Sequence, residues 1–212
     1  MDKYQETFAT WNKIAQIYED KFMNLDLYND TYDIFCELIS KNNPYILEIG
    51  CGPGNITRYL LTKNPNYKIK AIDNSAHMIE LARKNNVSAE VLLMDSREIH
   101  TISQKFDAII CGFCIPYLSK SDCFKMIADC NKLLNNSGVF YISFVTGNYK
   151  DSGYVSGSSG DRMYFYYHDL ESIEKELTAN SFQRKQLLHK NYPKTDGTEE
   201  IHTILIAEKI NG

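Results

Sequence analysis

Long apolar runs are missing from this chain. No stretch approaches the ~18 apolar residues needed to span a bilayer, which argues against a membrane span. The first eighteen residues are polar and charged rather than an apolar run, so no secretory leader is expected there. A dense Lys/Arg cluster is also missing. With a net charge of -4 and a pI near 5.7, a nucleic-acid polyanion is not expected as the main partner. There are no repeats, no long linker and no low-complexity tract.

Cysteine is present without the spacings that usually give it a task. The six thiols are Cys36, Cys51, Cys111, Cys114, Cys123 and Cys130. With no leader, they are expected to stay reduced, in a cytoplasmic protein. Cys111 and Cys114 form one CxxC, and a second CxxC is missing. That argues against a four-cysteine zinc site. His77, His100, His168, His189 and His202 are scattered, without ligand-like spacing, so no metal is expected. The single CxxC reads either as a redox dithiol or as small packing residues at the end of a buried strand.

What the chain does have is a regular alternation. Its 212 residues, 43% hydrophobic and 24% charged, suffice for one substantial core and not for two full-sized domains. Phe8, Trp11, Ala15, Tyr18 and Phe22 recur at steps of three and four, which predicts a helical stripe. A second helix is expected after Asn29-Asp30, with Asp30 as N-cap. From Pro44 onward, strands and helices alternate. Strands are expected at Tyr45–Ile49, Tyr67–Asp73, Glu90–Met94, Phe106–Cys111 and Val139–Val145. Helices are expected from Asn55, over Ser75–Lys84 and over Ser121–Leu134, and "NNSG" (Asn135–Gly138) as a turn. Continuous apolar strands alternating with helices indicate a parallel sheet covered on both faces. Gly147–Gly160, rich in Gly and Ser, reads as a mobile loop. A helix near Leu170–Ala179 and two antiparallel strands, about Phe182–His189 and Ile201–Glu208, follow it.

Between the first strand and its helix stands "EIGCGPG", with Gly50, Gly52 and Gly54 at alternate positions. Glycine there lets the loop turn sharply and lets a ligand approach the backbone. The spacing is not the GxGxxG of dinucleotide sites, and Glu48 just ahead of the loop would repel a pyrophosphate. It suits a ligand that brings an ammonium group. Asp73 ends the next strand, nineteen residues after Gly54, where a carboxylate can accept from ribose hydroxyls. Asp95 follows the third strand and can accept from an adenine amine. Three acids at successive strand ends point to one crevice.

In order and spacing, "EIGCGPG", "AIDNSAHMIELAR", "MDSREI", "FDAIICGF" and "LLNNSGVFYISF" resemble the successive motifs of class I S-adenosylmethionine-dependent methyltransferases, over about residues 45–145. The small size and the lead-in "WNKIAQIYED" resemble small-molecule methyltransferases related to quinone-biosynthesis enzymes. The resemblance implies an α/β Rossmann-like three-layer sandwich under an N-terminal helical lid. Its seven-stranded sheet would be mostly parallel, with an antiparallel C-terminal strand inserted between the fifth and sixth. It implies one domain over 1–212: a lid at 1–42, a cofactor-binding core at 43–145, and a substrate loop with antiparallel strands at 146–212. The implied cofactor is S-adenosyl-L-methionine, with S-adenosyl-L-homocysteine as product.

Residue by residue, the resemblance brings Gly50, Cys51, Gly52 and Gly54 up to the methionine part, with Glu48 beneath the loop. Asp73 would take the ribose hydroxyls, Asn74 and Met78 would border the adenosine, and Asp95 and Ser96 would meet the adenine. Cys111 and Phe113 would border the transferring methyl. Tyr18 and Trp11 would close the pocket from the N-terminal helix, or else pack in the core.

The sulfonium is already an activated donor, so the protein mainly aligns nucleophile, methyl and sulfur. A base is needed only when the acceptor loses its proton early. The acceptor is expected to be a planar or partly apolar small molecule, against Tyr117, Tyr154, Tyr164, Phe165, Tyr166, Tyr167 and His168. Tyr117 and His168 are the catalytic candidates; His168 is the natural base, or it only packs beside Asp169, an expected N-cap. "IPYL" (Ile115–Leu118) departs from the Asn/Asp-Pro-Pro-aromatic motif of amino methyltransferases, because Cys114 and Ile115 supply no acceptor for an amine. Two other readings stay open: a transferase using a modified S-adenosylmethionine, and a non-catalytic module that binds the cofactor.

Overall fold

Three helices precede the sheet: α1 (Lys3–Lys13), α2 (Ala15–Phe22) and α3 (Asn29–Leu38). The computed structural model describes residues 2–156, 160–194 and 197–210. The expected single stripe breaks at Ile14, where φ -95° and ψ 11° leave the helix. As a result Phe8, Trp11, Tyr18 and Phe22 are half-buried rather than core. Thr7 and Thr10 take the buried positions of α1, with the Thr10 hydroxyl donating to the Arg162 carbonyl. Asp30 is not the N-cap of α3. Tyr28 stands there, and Asp30 sits in the first turn, ion-paired with Lys190 at 2.5 Å.

The alternating half follows the sequence closely. In order come β1 (Tyr45–Ile49), α4 (Asn55–Lys63), β2 (Lys68–Asp73), α5 (Ala76–Asn85), β3 (Glu90–Leu93), β4 (Phe106–Gly112), α6 (Lys120–Leu133) and β5 (Leu134–Val145). Ser75 caps α5, its hydroxyl accepting from the Met78 N–H, which meets one orphan donor of the helix start. A 3-10 turn at Ser96–Thr101 escaped the sequence reading. The "NNSG" segment is not a separate turn but part of β5, with Ser137 at φ +57° and a register shift against β4 between Phe106 and Ala108.

After β5, the stretch expected to be a loop carries a short strand, β6 (Gly153–Ser156), which pairs as a hairpin with β7 (Arg162–Phe165) just beyond it. Residues 157–159 of that stretch lie outside the described residues. Tyr154 and Tyr164 face each other across the pair, 5.2 Å between ring centroids, which is the kind of cross-strand contact that holds a hairpin. Then come α7 (Leu170–Ala179), capped by Asp169 as expected, β8 (Phe182–Pro193) and β9 (Glu199–Lys209).

The seven-stranded sheet has the order β3-β2-β1-β4-β5-β9-β8. It is parallel except for β9, which lies antiparallel between β5 and β8. Leu205 and Ala207 enter the core under α6 and α7, while Ile204 and Ile206 enter the one under α3 to α5. Ile201 is 56% exposed, because β9 has there passed the end of β5, at the Val145–His202 pair, and pairs with β8 alone. The chain leaves β1 toward β2 on one side and β4 begins the other side. The ends of β1 and β4 therefore bound the crevice where such sheets take ligands.

Candidate active site

Gly50, Gly52 and Gly54 have φ of +71°, +54° and +84°, the left-handed region that disfavours other residues. The N–H groups of Gly50 and Cys51 both donate to the Ile72 carbonyl at 2.9 Å, tying the loop to the end of β2. The glycines serve different ends. A Cβ on Gly54 would lie 2.2 Å from Asn86 Nδ2, so that position is fixed by packing of α4 on α5. A Cβ on Gly52 would meet only the Tyr18 ring at 3.5 Å and Met78 Sδ at 4.0 Å. Gly52 thus keeps open space beneath the lid helices.

That space is a first cavity, of about 120 Å³. Gly50, Gly52, Asp73, Asn74, Met78, Asp95, Ser96 and Phe113 line it, as do Trp11, Tyr18 and Tyr117. Asp73 joins two loops: Oδ2 accepts the Gly52 N–H and Oδ1 the Ser75 N–H, both at 2.9 Å. Burial raises its pKa above the ordinary carboxylate value, against these bonds. Asp95 is clasped by Arg97, whose Nε lies 3.0 Å from both carboxylate oxygens, and the guanidinium stacks 4.1 Å over the Tyr4 ring. Asn12 of α1 accepts from Ser75 Oγ at 3.1 Å and from the His77 N–H at 3.0 Å, which pins the lid to the start of α5. Trp11 meets Tyr18 and Tyr117 edge-on, at 5.4 and 5.1 Å between centroids. Trp11 and Tyr18 are walls, not core.

A second cavity of about 270 Å³ adjoins the first and shares Trp11, Tyr18, Gly50, Gly112, Phe113 and Tyr117 with it. Cys51, Phe22, Tyr28, Tyr32, Phe165, Tyr192, Glu200 and His202 also line it. Tyr28 Oη stands 2.6 Å from His202 Nδ1, and His202 Nε2 stands 3.1 Å from Glu200 Oε2. Tyr192 stacks on the His202 ring at 5.0 Å, with planes 8° apart. Burial lowers the His202 pKa, with Glu200 opposing. Burial raises those of Tyr28 and Tyr117, so both phenols stay protonated near neutrality.

Four sequence candidates line neither cavity: Glu48, Gly54, Cys111 and His168. Glu48 is wholly buried under the loop, where the Thr57 hydroxyl donates to Oε2 and Oε1 has no partner. Burial pushes its pKa up to about 8. Cys111 lies in the core beside Met126, with its thiol pKa pushed well up, so it is an inert packing residue. His168, the expected base, is 2% exposed. Its Nε2 sits 2.9 Å from the Ile115 carbonyl and 3.2 Å from that of Leu118, so it pins the 115–118 segment.

Of the aromatic wall expected between Tyr117 and Tyr167, only Tyr117 and Phe165 reach the second cavity. Tyr154 and Tyr164 pair in the hairpin instead, and Tyr166 is buried. The sequence reading missed Tyr28, Tyr192, Glu200 and His202. One signal was present: Glu200 and His202 stand two apart on a strand, which puts both on one face. Among the described residues no group of His, Cys, Asp or Glu is arranged to hold a metal, and no helix is long and apolar enough to cross a membrane.

Residues 46–138 match a family model described as a methyltransferase domain. A demethylmenaquinone methyltransferase from Thermotoga maritima is 30% identical over 103 residues, 48% of this chain and 44% of that protein. The chain spans less than half the length of the first curated relatives it matches. An S-adenosylmethionine-dependent methyltransferase from Methanosarcina mazei superposes with a TM-score of 0.70 at 18% identity, over 84% of this chain and 97% of that one. The 1,6-didemethyltoxoflavin-N1-methyltransferase of Burkholderia thailandensis, solved with 1,6-didemethyltoxoflavin and S-adenosylhomocysteine, gives 0.73 at 15% identity, over 98% and 88%. At such identities these structures establish the shared fold.

Proposed function

We propose that the chain is a class I S-adenosylmethionine-dependent methyltransferase, a reading supported by the methyltransferase-domain match over residues 46–138, and that it moves the methyl group of S-adenosylmethionine to a small-molecule acceptor. One observation carries this reading: two cavities meet at Tyr18, Gly50, Gly112, Phe113 and Tyr117, one with the cofactor-type acids and the other aromatic. Such a junction lets two ligands touch end to end, as an in-line displacement requires.

The residues present fit the cofactor. The absent Cβ at Gly52 leaves room for it against Tyr18 and Met78. Each carboxylate oxygen has two lone-pair sites, so Asp73 keeps capacity for ribose hydroxyls after accepting two backbone N–H groups. Asp95 and Ser96, with Asn74 and Met78, would hold the adenosine end, and Trp11 and Tyr18 would cover it. The cofactor supplies an activated methyl; the protein aligns, and excludes water beneath α1 and α2. Residues 1–42 would act as the lid of this unit. All six cysteines are free thiols, which suits a cytoplasmic location.

Isothermal titration with S-adenosylmethionine, S-adenosylhomocysteine and NAD tests the reading. Micromolar binding of the first two and none of NAD is expected. Asp73→Ala should lose ~1.5–3 kcal/mol, roughly ten- to a hundredfold in affinity. NAD binding, or no binding at all, would remove the proposal.

A further inference from the structure

The second cavity holds a linked set of groups that alignment alone leaves unused. Tyr28, His202 and Glu200 all line it and form one hydrogen-bonded chain of 2.6 and 3.1 Å. The chemistry of the groups fixes the protons. A carboxylate only accepts, so His202 Nε2 carries the hydrogen and donates to Glu200. Nδ1 of a neutral ring then offers a lone pair, and the Tyr28 hydroxyl donates to it. The tyrosine oxygen keeps its own lone pairs for whatever fills the cavity. The other groups facing His202 are Tyr192 and Lys190 on β8, Phe113 after β4, and Lys21 of α2 across the cavity. Lys190 is occupied by Asp30. Glu200 is the one carboxylate in contact with the imidazole among the described residues.

We propose that Tyr28, His202 and Glu200 are a proton relay for an acceptor with an ionisable hydroxyl on a planar ring, a phenol or enol. The inference rests on the methyl-transfer reading. As the acceptor oxygen bonds to the methyl carbon, the carbon–sulfur bond breaks and its electron pair goes to sulfur. The acceptor's O–H proton passes to Tyr28 Oη while the proton of Tyr28 passes to His202 Nδ1. The imidazolium is held by the Glu200 carboxylate until solvent takes the proton. An amine acceptor attacks through its lone pair and needs no such relay beforehand. Walls made by Trp11, Phe22, Tyr32, Tyr117 and Phe165 suit a flat ring.

The test uses 7-hydroxycoumarin, whose neutral and anionic forms have different excitation spectra, with protein saturated with S-adenosylhomocysteine. Fluorescence anisotropy reports binding and excitation reports ionisation. At about pH 6.5, below the pKa of the free probe, the bound anion fraction should rise about tenfold over the free one. In Tyr28→Phe, and in the milder surface-side variant Glu200→Gln, anisotropy should persist while the anion fraction falls back toward the free value. A purely structural Tyr28 would change affinity or stability and leave the ionisation alone. A bound coumarin that stays neutral, an anion that survives Tyr28→Phe, or no coumarin binding by protein that does bind S-adenosylhomocysteine would each overturn the relay. Failure to bind S-adenosylhomocysteine would sink the methyl-transfer reading itself.

Discussion

Replacing Glu48 by glutamine should stabilise the fold, and by more as the pH rises. The side chain is fully buried, one oxygen takes the Thr57 hydroxyl and the other has no partner. Burial is the main cause that lifts its pKa from the ordinary 4.5 to about 8, with Asp73 adding to it and Thr57 opposing. A raised carboxyl keeps its proton in the folded state when the unfolded chain has lost it. Stability is therefore fully present below the unfolded value and falls as pH rises through about 8. At about 1.4 kcal/mol for each pH unit, the ceiling on this loss is about 5 kcal/mol. Local relaxation recovers part of it. Glu48→Gln keeps the shape and the acceptor for Thr57 but cannot ionise. The variant should match the parent near pH 4, gain about 1–2 kcal/mol near pH 6, and gain about 2–4 kcal/mol near pH 8. Urea unfolding at those three pH values, under reducing conditions and with unchanged slopes, measures this. A difference that does not change with pH, or a variant less stable at pH 8, would refute the reasoning.

Three further substitutions separate packing from function. His168→Asn should cost about 2–4 kcal/mol, through the loss of bonds that hold the 115–118 segment; thermal melts read this, and the acid limb of any pH–rate profile should stay in place. Gly54→Ala should cost about 2–4 kcal/mol, because its Cβ meets an Asn86 amide already bonded to the Gly54 and Ala82 carbonyls. Gly52→Ala should cost only about 1–2 kcal/mol of stability, from its φ alone, yet weaken binding of S-adenosylhomocysteine by calorimetry.

The cofactor half was legible because backbone geometry writes itself into sequence. A loop that needs positive φ at three alternate positions shows three glycines, and strand ends that face one crevice show Asp73 and Asp95. Glu48 belonged to the same pattern but packs against Thr57, since a residue inside the strand, before the loop, points into the core. The second cavity was not legible. Its walls come from α2, the N-cap of α3, β8 and β9, which no local spacing links. His168 is an imidazole, which titrates near neutrality, in the segment expected to face the acceptor, whereas His202 reaches the second cavity only through the antiparallel placement of β9. Strand β6 hid within a Gly/Ser-rich stretch; it is held by pairing with β7, where Tyr154 meets Tyr164, and β7 is tied to α1 through Thr7 and Thr10.

The interior position of β9 also bears on how the chain is made. Every residue lining the first cavity has left the ribosome once Leu118 has emerged. The second cavity must wait for Tyr192, Glu200 and His202. Until then the edge of β5 from Val139 to Val145, with Phe140, Tyr141 and Phe144 among the most buried side chains of the finished fold, has no partner on that side. A nascent chain in this state offers an open apolar strand edge to its neighbours. A translational pause or a premature stop just ahead of β9 would yield a half-built domain prone to aggregate, with its glycine loop but without Glu200 and His202, and a natural client for chaperones.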